Sequence, residues 1–378
     1  MTKALVLGAG MVGRVIAADL AQDSAFRVTI VDVNDATLTS ATRHAKNSVA
    51  TTQADLSDTD TIKRLVEPFD IVLGALSSTI GLNALRAVIE AGRNYCDISF
   101  MADDALQLDA LAKEHNVTAV VDCGVAPGMS NLLAGYAAHQ LDMCDDIDIL
   151  VGGLPVERTW PFEYKAGFSP ADVIEEYVRP ARYVVDSKLV TREALPEPEL
   201  IDFAGIGTLE SFNTDGLRSL ADTLSVPNMK EKTLRYPGHI ELMRVLRDIG
   251  LFSHDPIDAG GVSVRPIDVI SKLMFPKWTY EEGEADLTVM RVVVDGMQDG
   301  VPRRYQWDLL DYYDPETART SMSRTTAFPC AIIARKIASG EINQPGVNPP
   351  EKLSHIDGLV EHVLAEHERR GVVYTQWS

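Results

Sequence analysis

Cysteine is scarce in this sequence. The four residues present, Cys96, Cys123, Cys144 and Cys330, form no C-x-x-C pair and stand near no histidine at zinc-ligand spacing. Reduced thiols and no metal are therefore expected. No apolar run is long enough to cross a bilayer. The opening Met-Thr-Lys leads straight into a strand-forming run, without the charged, apolar and small-residue regions of a secretion signal, so the expectation is a cytoplasmic protein with no membrane partner. Basic residues are in deficit, 35 against 55 acidic ones, giving a formal charge of −20. Such a surface repels phosphate backbones and anionic lipid heads, which argues against nucleic acid as a partner. Internal repeats and low-complexity segments are also missing, and 378 residues suit two domains, each with its own core.

What is present begins with alternation. From Lys3 to about Asp122 the Val/Ile/Leu-rich runs ALVLGAG, RVTIVDVN, VATTQADL, DIVLGAL, NYCDIS and TAVVDCG are separated by stretches of helical period. Apolar runs without a polar face suit strands covered on both sides, so residues 1–125 read as an α/β Rossmann domain, a doubly wound parallel sheet. The pattern then changes. Residues 126–318 read as a mixed α+β domain for substrate binding and dimerisation, with a helix starting near Met129 and a hairpin turning at Asp299-Gly300. Residues 319–378 are largely helical and are expected to pack back on the first domain.

The first strand runs into Gly8, Gly10 and Gly13, a G-x-G-x-x-G fingerprint that opens a helix. The first glycine allows the tight turn, the second lets backbone approach a pyrophosphate, and the third lets helix and strand pack closely. With Met11 and Val12 between them, these residues are candidate dinucleotide contacts at a helix N-terminus. Asp32 ends the next strand at the separation expected of a ribose-binding acid. Its carboxylate would accept from both ribose hydroxyls and repel a 2′-phosphate, which favours NAD over NADP. By the rule that ligands lie beyond strand C-termini, Asp55 and Leu56 are candidates for the adenine, and Ala75, Leu76 and Ser77 for the pyrophosphate and nicotinamide ribose. The plain alternatives are a structural turn and an exposed acid.

The same rule singles out Asp97 and the segment Asp122–Asn131, where Cys123 is a substrate-side candidate or simply a small buried residue. Substrate is expected in the cleft between domains. GAGMVG, IVDVN, QADLSD, GVAPGMSN with VGGLP, KAGFSP, TLRYPGH and MSRTTAFP, spread from Lys3 to about Glu351, resemble the saccharopine dehydrogenase-like family, and within it the bacterial L-lysine 6-dehydrogenases. The resemblance implies a Rossmann domain, a substrate domain, a returning C-terminal helix, and NAD(P)-dependent oxidation of a carbon–nitrogen bond in a lysine-pathway amino acid.

An amino-acid substrate brings a carboxylate, which arginine holds through two parallel bonds. Arg218 and Arg235 are candidates for that contact, with Thr214 as a hydroxyl donor and His239 as a pocket residue. A general base must take the amine proton; Asp97 is the first candidate and Lys165, after Tyr164, the second. The leading expectation is oxidation of L-lysine at its ε-amine to 2-aminoadipate 6-semialdehyde. Saccharopine dehydrogenase activity of the glutamate-forming or lysine-forming type is the alternative, and a dinucleotide-binding sensor or scaffold without turnover is the third. A homodimer is the default assembly.

Overall fold

The computed structural model describes residues 1–46, 48–101 and 103–377. The chain forms two compact units: Met1–Gln140 with Ser323–Tyr374, and Leu141–Met322 with the last residues from Thr375. Among the described residues no helix is long and apolar enough to cross a membrane.

The first unit is built on a seven-stranded parallel sheet. In spatial order its strands are Ala50–Gln53, Phe26–Asp32, Thr2–Leu7, Ile71–Gly74, Asn94–Asp97, Thr118–Val120 and Gly346–Asn348. Thr2–Leu7 lies at the point where strand order reverses, so the crevice that such sheets offer to ligands opens beyond Leu7. Strands this apolar must be covered on both faces. One face carries a core of Leu5, Leu7, Val31, Ile62, Val72 and Leu85, all fully buried. Helix Asp35–His44 starts where Asn34 accepts the N–H groups of Ala36 and Thr37, and helix Thr59–Val66 where Asp58 accepts that of Asp60.

The seventh strand comes from the C-terminal segment, so the chain does return to this sheet. Helix Met129–Gln140 also stays with the first unit, which moves the crossing past Gln140 rather than near residue 125. Close packing explains why. A Cβ on Gly135 would lie 2.8 Å from Ser354 Oγ and 2.9 Å from Glu351 Cβ, so the helix backbone rests directly on the returning segment.

Asp19 fastens the same return electrostatically. Its side chain is only 6% exposed; Oδ2 accepts from Arg335 and Oδ1 from Arg370, each at 2.7 Å. Burial alone would raise its pKa, but the two guanidinium groups outweigh burial and hold the carboxyl below its usual range.

The second unit holds a mixed sheet in the order Glu199–Phe203, Gly207–Asn213, Asn228–Arg235, Met143–Pro155, Asp286–Gln298, Val301–Tyr312 and Tyr374–Trp377. Asn228–Arg235 and Met143–Pro155 run parallel, and the long hairpin 286–312 is antiparallel. Its turn is Asp299-Gly300, at φ 52° and 74°, as two positive-φ residues require in a tight hairpin. Tyr177, Phe212, Leu234, Met243 and Trp278 form a core between this sheet and helices Pro170–Val178, His239–Asp248 and Pro266–Trp278.

Removing Asp19 takes a shared buried anion from two partly exposed cations, although Arg335 keeps Asp23 and Arg370 keeps Glu366. Asp19→Ala should therefore cost about 1.5–3 kcal/mol, the worth of charge-assisted bonds, measured as a lower denaturant midpoint; a loss below about 1 kcal/mol would show that solvent and the remaining carboxylates compensate. Because its folded pKa is depressed, this contribution is present at neutral pH and fades as pH falls through the carboxylate range.

Candidate active site

The fingerprint turn is shaped by backbone contact. Gly8 has φ 95°, and a Cβ there would stand 2.3 Å from the Ala75 carbonyl oxygen; one on Gly13 would stand 2.0 Å from that of Gly8. Around Gly10 nothing lies within 4 Å of an added Cβ. The N–H groups of Gly10, Met11 and Val12 find no acceptor among the described residues, although helix Gly13–Leu20 begins there. A cradle with free donors at a helix N-terminus and bare space over its central glycine fits a pyrophosphate. Asp32 braces the turn as well as facing the crevice: Oδ2 accepts the Ala9 N–H at 2.8 Å and Oδ1 that of Asn34 at 2.9 Å.

The other nucleotide candidates divide. Ala75, Leu76 and Ser77 follow strand Ile71–Gly74 beside the cradle, with Ala75 N–H bonded to the Leu7 carbonyl at 2.8 Å and Ser77 Oγ 3.0 Å from Thr79 Oγ1. Asp55 is exposed and accepts from the backbone and hydroxyl of Ser57, which hold its carboxyl below the usual range. Leu56 is 6% exposed and packs in the core, which leaves its side chain little surface for a ligand, whereas that of Asp55 is open.

Asp97 is fully buried. Tyr95 Oη–H and Ser99 Oγ–H both donate to Oδ2 at 2.8 Å, and Ser99 N–H donates to Oδ1 at 2.8 Å. Burial raises its pKa to about 7, with the bonds from Tyr95 and Ser99 pulling the other way. A pKa near neutrality suits a base, and the bonds with Tyr95 and Ser99 also make this fully buried carboxyl a brace. Ser99 Oγ in turn accepts the Leu76 N–H at 3.0 Å, so Asp97 holds the loop beside the cradle through Ser99. Cys123 is 2% exposed, and the hydrogen bond with Cys96, then burial, push its thiol well above the usual range. Packing accounts for a thiol placed this way.

In the second unit, buried Arg235 is spoken for. Its Nη2 donates to Glu176 Oε2 at 2.6 Å, Nη1 to the Leu234 carbonyl at 2.9 Å and Nε to Tyr177 Oη at 3.0 Å, while Tyr164 lies 4.4 Å beneath the guanidinium. The direction of the next bonds follows from His239. Its Nδ1 faces the Phe162 carbonyl at 2.9 Å and must carry the proton, so Nε2 accepts from Tyr177 Oη–H at 3.0 Å. Burial, then Arg235, pull the His239 pKa down to about 3, which fixes the ring as neutral. Arg235 and His239 thus belong to one closed polar network and do not offer a carboxylate a fork. Lys165 is paired with Glu284 at 2.5 Å. Thr214 and Arg218 share the turn after strand Gly207–Asn213, where Arg218 has φ 53° and partial exposure.

Comparison with known proteins places these features in company. The saccharopine dehydrogenase NADP binding domain model matches residues 4–120, and the saccharopine dehydrogenase C-terminal domain model residues 124–372. Mitochondrial alpha-aminoadipic semialdehyde synthase of Bos taurus is 21% identical over all of this chain and 48% of its own length, so the chain spans about half of that relative. Saccharopine dehydrogenase [NADP(+), L-glutamate-forming] of Schizosaccharomyces pombe is 21% identical over 82% of this chain and 86% of its own. Carboxynorspermidine synthase of Vibrio cholerae is 23% identical over 80% and 78%. Apo saccharopine dehydrogenase (L-Glu forming) from Saccharomyces cerevisiae shares the fold, with a TM-score of 0.82, 18% identity and coverage of 100% and 99%.

Two glycines with opposite surroundings test the cradle. Gly10→Ala should leave the melting temperature near wild type while weakening nicotinamide nucleotide binding at least about tenfold, because the new methyl group enters space that the protein itself leaves open. Gly13→Ala should instead cost about 1–3 kcal/mol of stability through contact with backbone. Calorimetric titration with parallel melts separates the two, and equal effects on both readouts would sink the assignment.

Burial of Asp97 predicts a pH effect on stability. Its folded pKa, about 7, lies above the ordinary 3.8, so its contribution is complete below that lower value and is lost as pH rises through 7. Wild type should lose melting temperature relative to Asp97→Asn over that window, and a gap that stays constant would mean the carboxyl titrates normally.

Proposed function

The chain belongs to the saccharopine dehydrogenase family, and from that premise we propose that it is a nicotinamide-nucleotide-dependent dehydrogenase of the C6–N bond of saccharopine. The products of that oxidation are glutamate and 2-aminoadipate 6-semialdehyde. The observation that carries the reading is the cradle at Gly8–Gly13, with three N–H groups that find no acceptor among the described residues, in a chain whose residues 4–120 and 124–372 match the family's two domain models. When bound, the nucleotide supplies the hydride acceptor. The chain's own groups bind and orient: Gly10, Met11 and Val12 meet the pyrophosphate, Asp32 the ribose, and the loop Ala75–Ser77, braced by Ser99 and Asp97, flanks the nicotinamide ribose. Asp97 and Lys165 are the candidates for taking the amine proton, Lys165 only after giving up the proton that pairs it with Glu284.

Asp32 supports NAD as the cofactor. Each of its oxygens accepts one backbone N–H and keeps capacity for a ribose hydroxyl, whereas a 2′-phosphate would meet a carboxylate, and the two residues that follow it in the chain, Val33 and Asn34, bring no cation. The names of the relatives support NADP instead.

A second reading, oxidation of the free ε-amine of lysine, breaks the same C6–N bond and gives the same aldehyde with ammonia in place of glutamate. What favours it is the use of cations in the second unit. Saccharopine carries three carboxylates, and of the candidate cations Arg235 is held by Glu176 and Lys165 by Glu284.

Absorbance at 340 nm, followed with saccharopine, lysine and ornithine under NAD or NADP, tests these readings together. Reduction with saccharopine and release of glutamate is expected. Reduction with lysine alone moves the assignment to the second reading, and no reduction with any donor leaves a nucleotide-binding protein. Asp32→Ala should lower NAD affinity by about 10- to 150-fold, the loss of roughly 1.5–3 kcal/mol of charge-assisted bonding, with a smaller loss for NADP. Equal weakening of both would assign Asp32 to bracing the turn.

A further inference from the structure

Strand Asn228–Arg235 contains Lys230-Glu231-Lys232, which by composition alone would pass for a solvated stretch. Glu231 is instead 4% exposed, and nothing described above uses it. Its carboxyl accepts the Thr214 hydroxyl, and its backbone carbonyl accepts the Thr214 N–H at 3.0 Å. Thr214 Oγ1 also lies 3.2 Å from Thr233 Oγ1. Gly216 rests against the same side chain so closely that a Cβ would stand 2.3 Å from both Glu231 Cδ and Oε2. One acidic residue therefore grips both ends of a three-residue stretch, Thr214 to Gly216, and two residues later the chain turns through Arg218.

Arg218 has φ 53°, a conformation that a long side chain adopts only where its surroundings over-determine it. A buried carboxyl is a costly way to fill a core position, since an aliphatic side chain would pack there without desolvation. Its retention needs a reason, and the grip on the Arg218 turn supplies one.

We propose that Glu231 is a positioning residue, holding the turn Asn213–Arg218 through Thr214 and Gly216 so that Arg218 is set to receive a substrate carboxylate. This rests on the reading above that the turn meets the amino-acid substrate. Thr214 then serves as the tether, because its hydroxyl hydrogen is given to Glu231. The charged groups that bear on Glu231 are Glu176 from helix Pro170–Val178, Arg235 from its own strand and Asp215 from the turn. Burial is the largest influence and raises its pKa to about 8, while the bond from Thr214 restrains the rise. Ionisation there places a buried anion beside Glu176.

Steady-state kinetics of Glu231→Ala, Glu231→Gln and Thr214→Val, with backbone deuterium exchange of residues 213–218, tests the proposal. Glu231→Ala should raise KM for the amino-acid substrate about tenfold or more, with kcat within about threefold and KM for the nucleotide unchanged. Thr214→Val, nearly isosteric, should reproduce that split if the alanine variant folds poorly. Glu231→Gln keeps the acceptor and the volume, so it should stay within about threefold of wild type at pH 7. A parallel rise in nucleotide KM, an unchanged substrate KM, or equal damage from Gln and Ala would each overturn the proposal. Exchange separates this failure from failure of the functional reading. Faster exchange across 213–218 in Glu231→Ala, in a protein that turns over no amine donor, upholds the tether and sinks the substrate assignment; unchanged exchange sinks the tether itself.

Discussion

Much of the first unit depends on one close approach, that of the Ala75 carbonyl to the Cα of Gly8. Two adjacent parallel strands, Thr2–Leu7 and Ile71–Gly74, end side by side, and the chain leaving each must pass the other with no side chain between them. Gly13 continues the constraint, since its Cα sits against Gly8 and its own Cβ would also reach that of Ala75, 3.2 Å away. Once these backbones are in contact, neither loop can shift alone. The Ala75 N–H bond to Leu7, the Leu76 N–H bond to Ser99 and the Ser99 bonds to Asp97 then extend the fixed region across three strand ends. The crevice is preformed because loops from neighbouring strands brace one another, and the free N–H groups over Gly10 are what this bracing leaves unused.

Bracing of this kind explains which parts of the molecule are legible in sequence. Gly8, Gly10 and Gly13 can be read because the turn demands glycine at fixed spacing, and Asp299-Gly300 because two positive-φ residues between alternating runs mark a hairpin. Each signal lies within a few residues. Asp97 could be located at a strand end, but its burial depends on Tyr95 two residues earlier on the strand and on the bareness of Gly74, where a Cβ would stand 1.9 Å from the Tyr95 hydroxyl. The fate of Arg235 was further from view. Glu176, its partner, is 59 residues away on a helix whose charges alone look like an exposed face.

Glu231 shows the same limit from the opposite side. Between two lysines its charge reads as solvated, and the burial comes from distant parts of the chain, the 213–218 turn among them. The one local hint was Gly216, a glycine at ordinary φ, which signals that something must come close; the sequence does not say what.

The electrostatics of the second unit bear on what a substrate would find there. With an excess of acidic residues over the whole chain, a buried cation has many possible partners, and Arg235 and Lys165 have each taken one. A guanidinium already satisfied by Glu176, Tyr177 and a carbonyl has little to gain from a further anion, because its desolvation is already compensated. The neutral His239 closes that network by accepting from Tyr177, so a proton added there would leave a buried charge beside Arg235. A carboxylate would have to find its cation outside this network, and Arg218, on a turn held from behind, differs from Arg235 in being partly exposed.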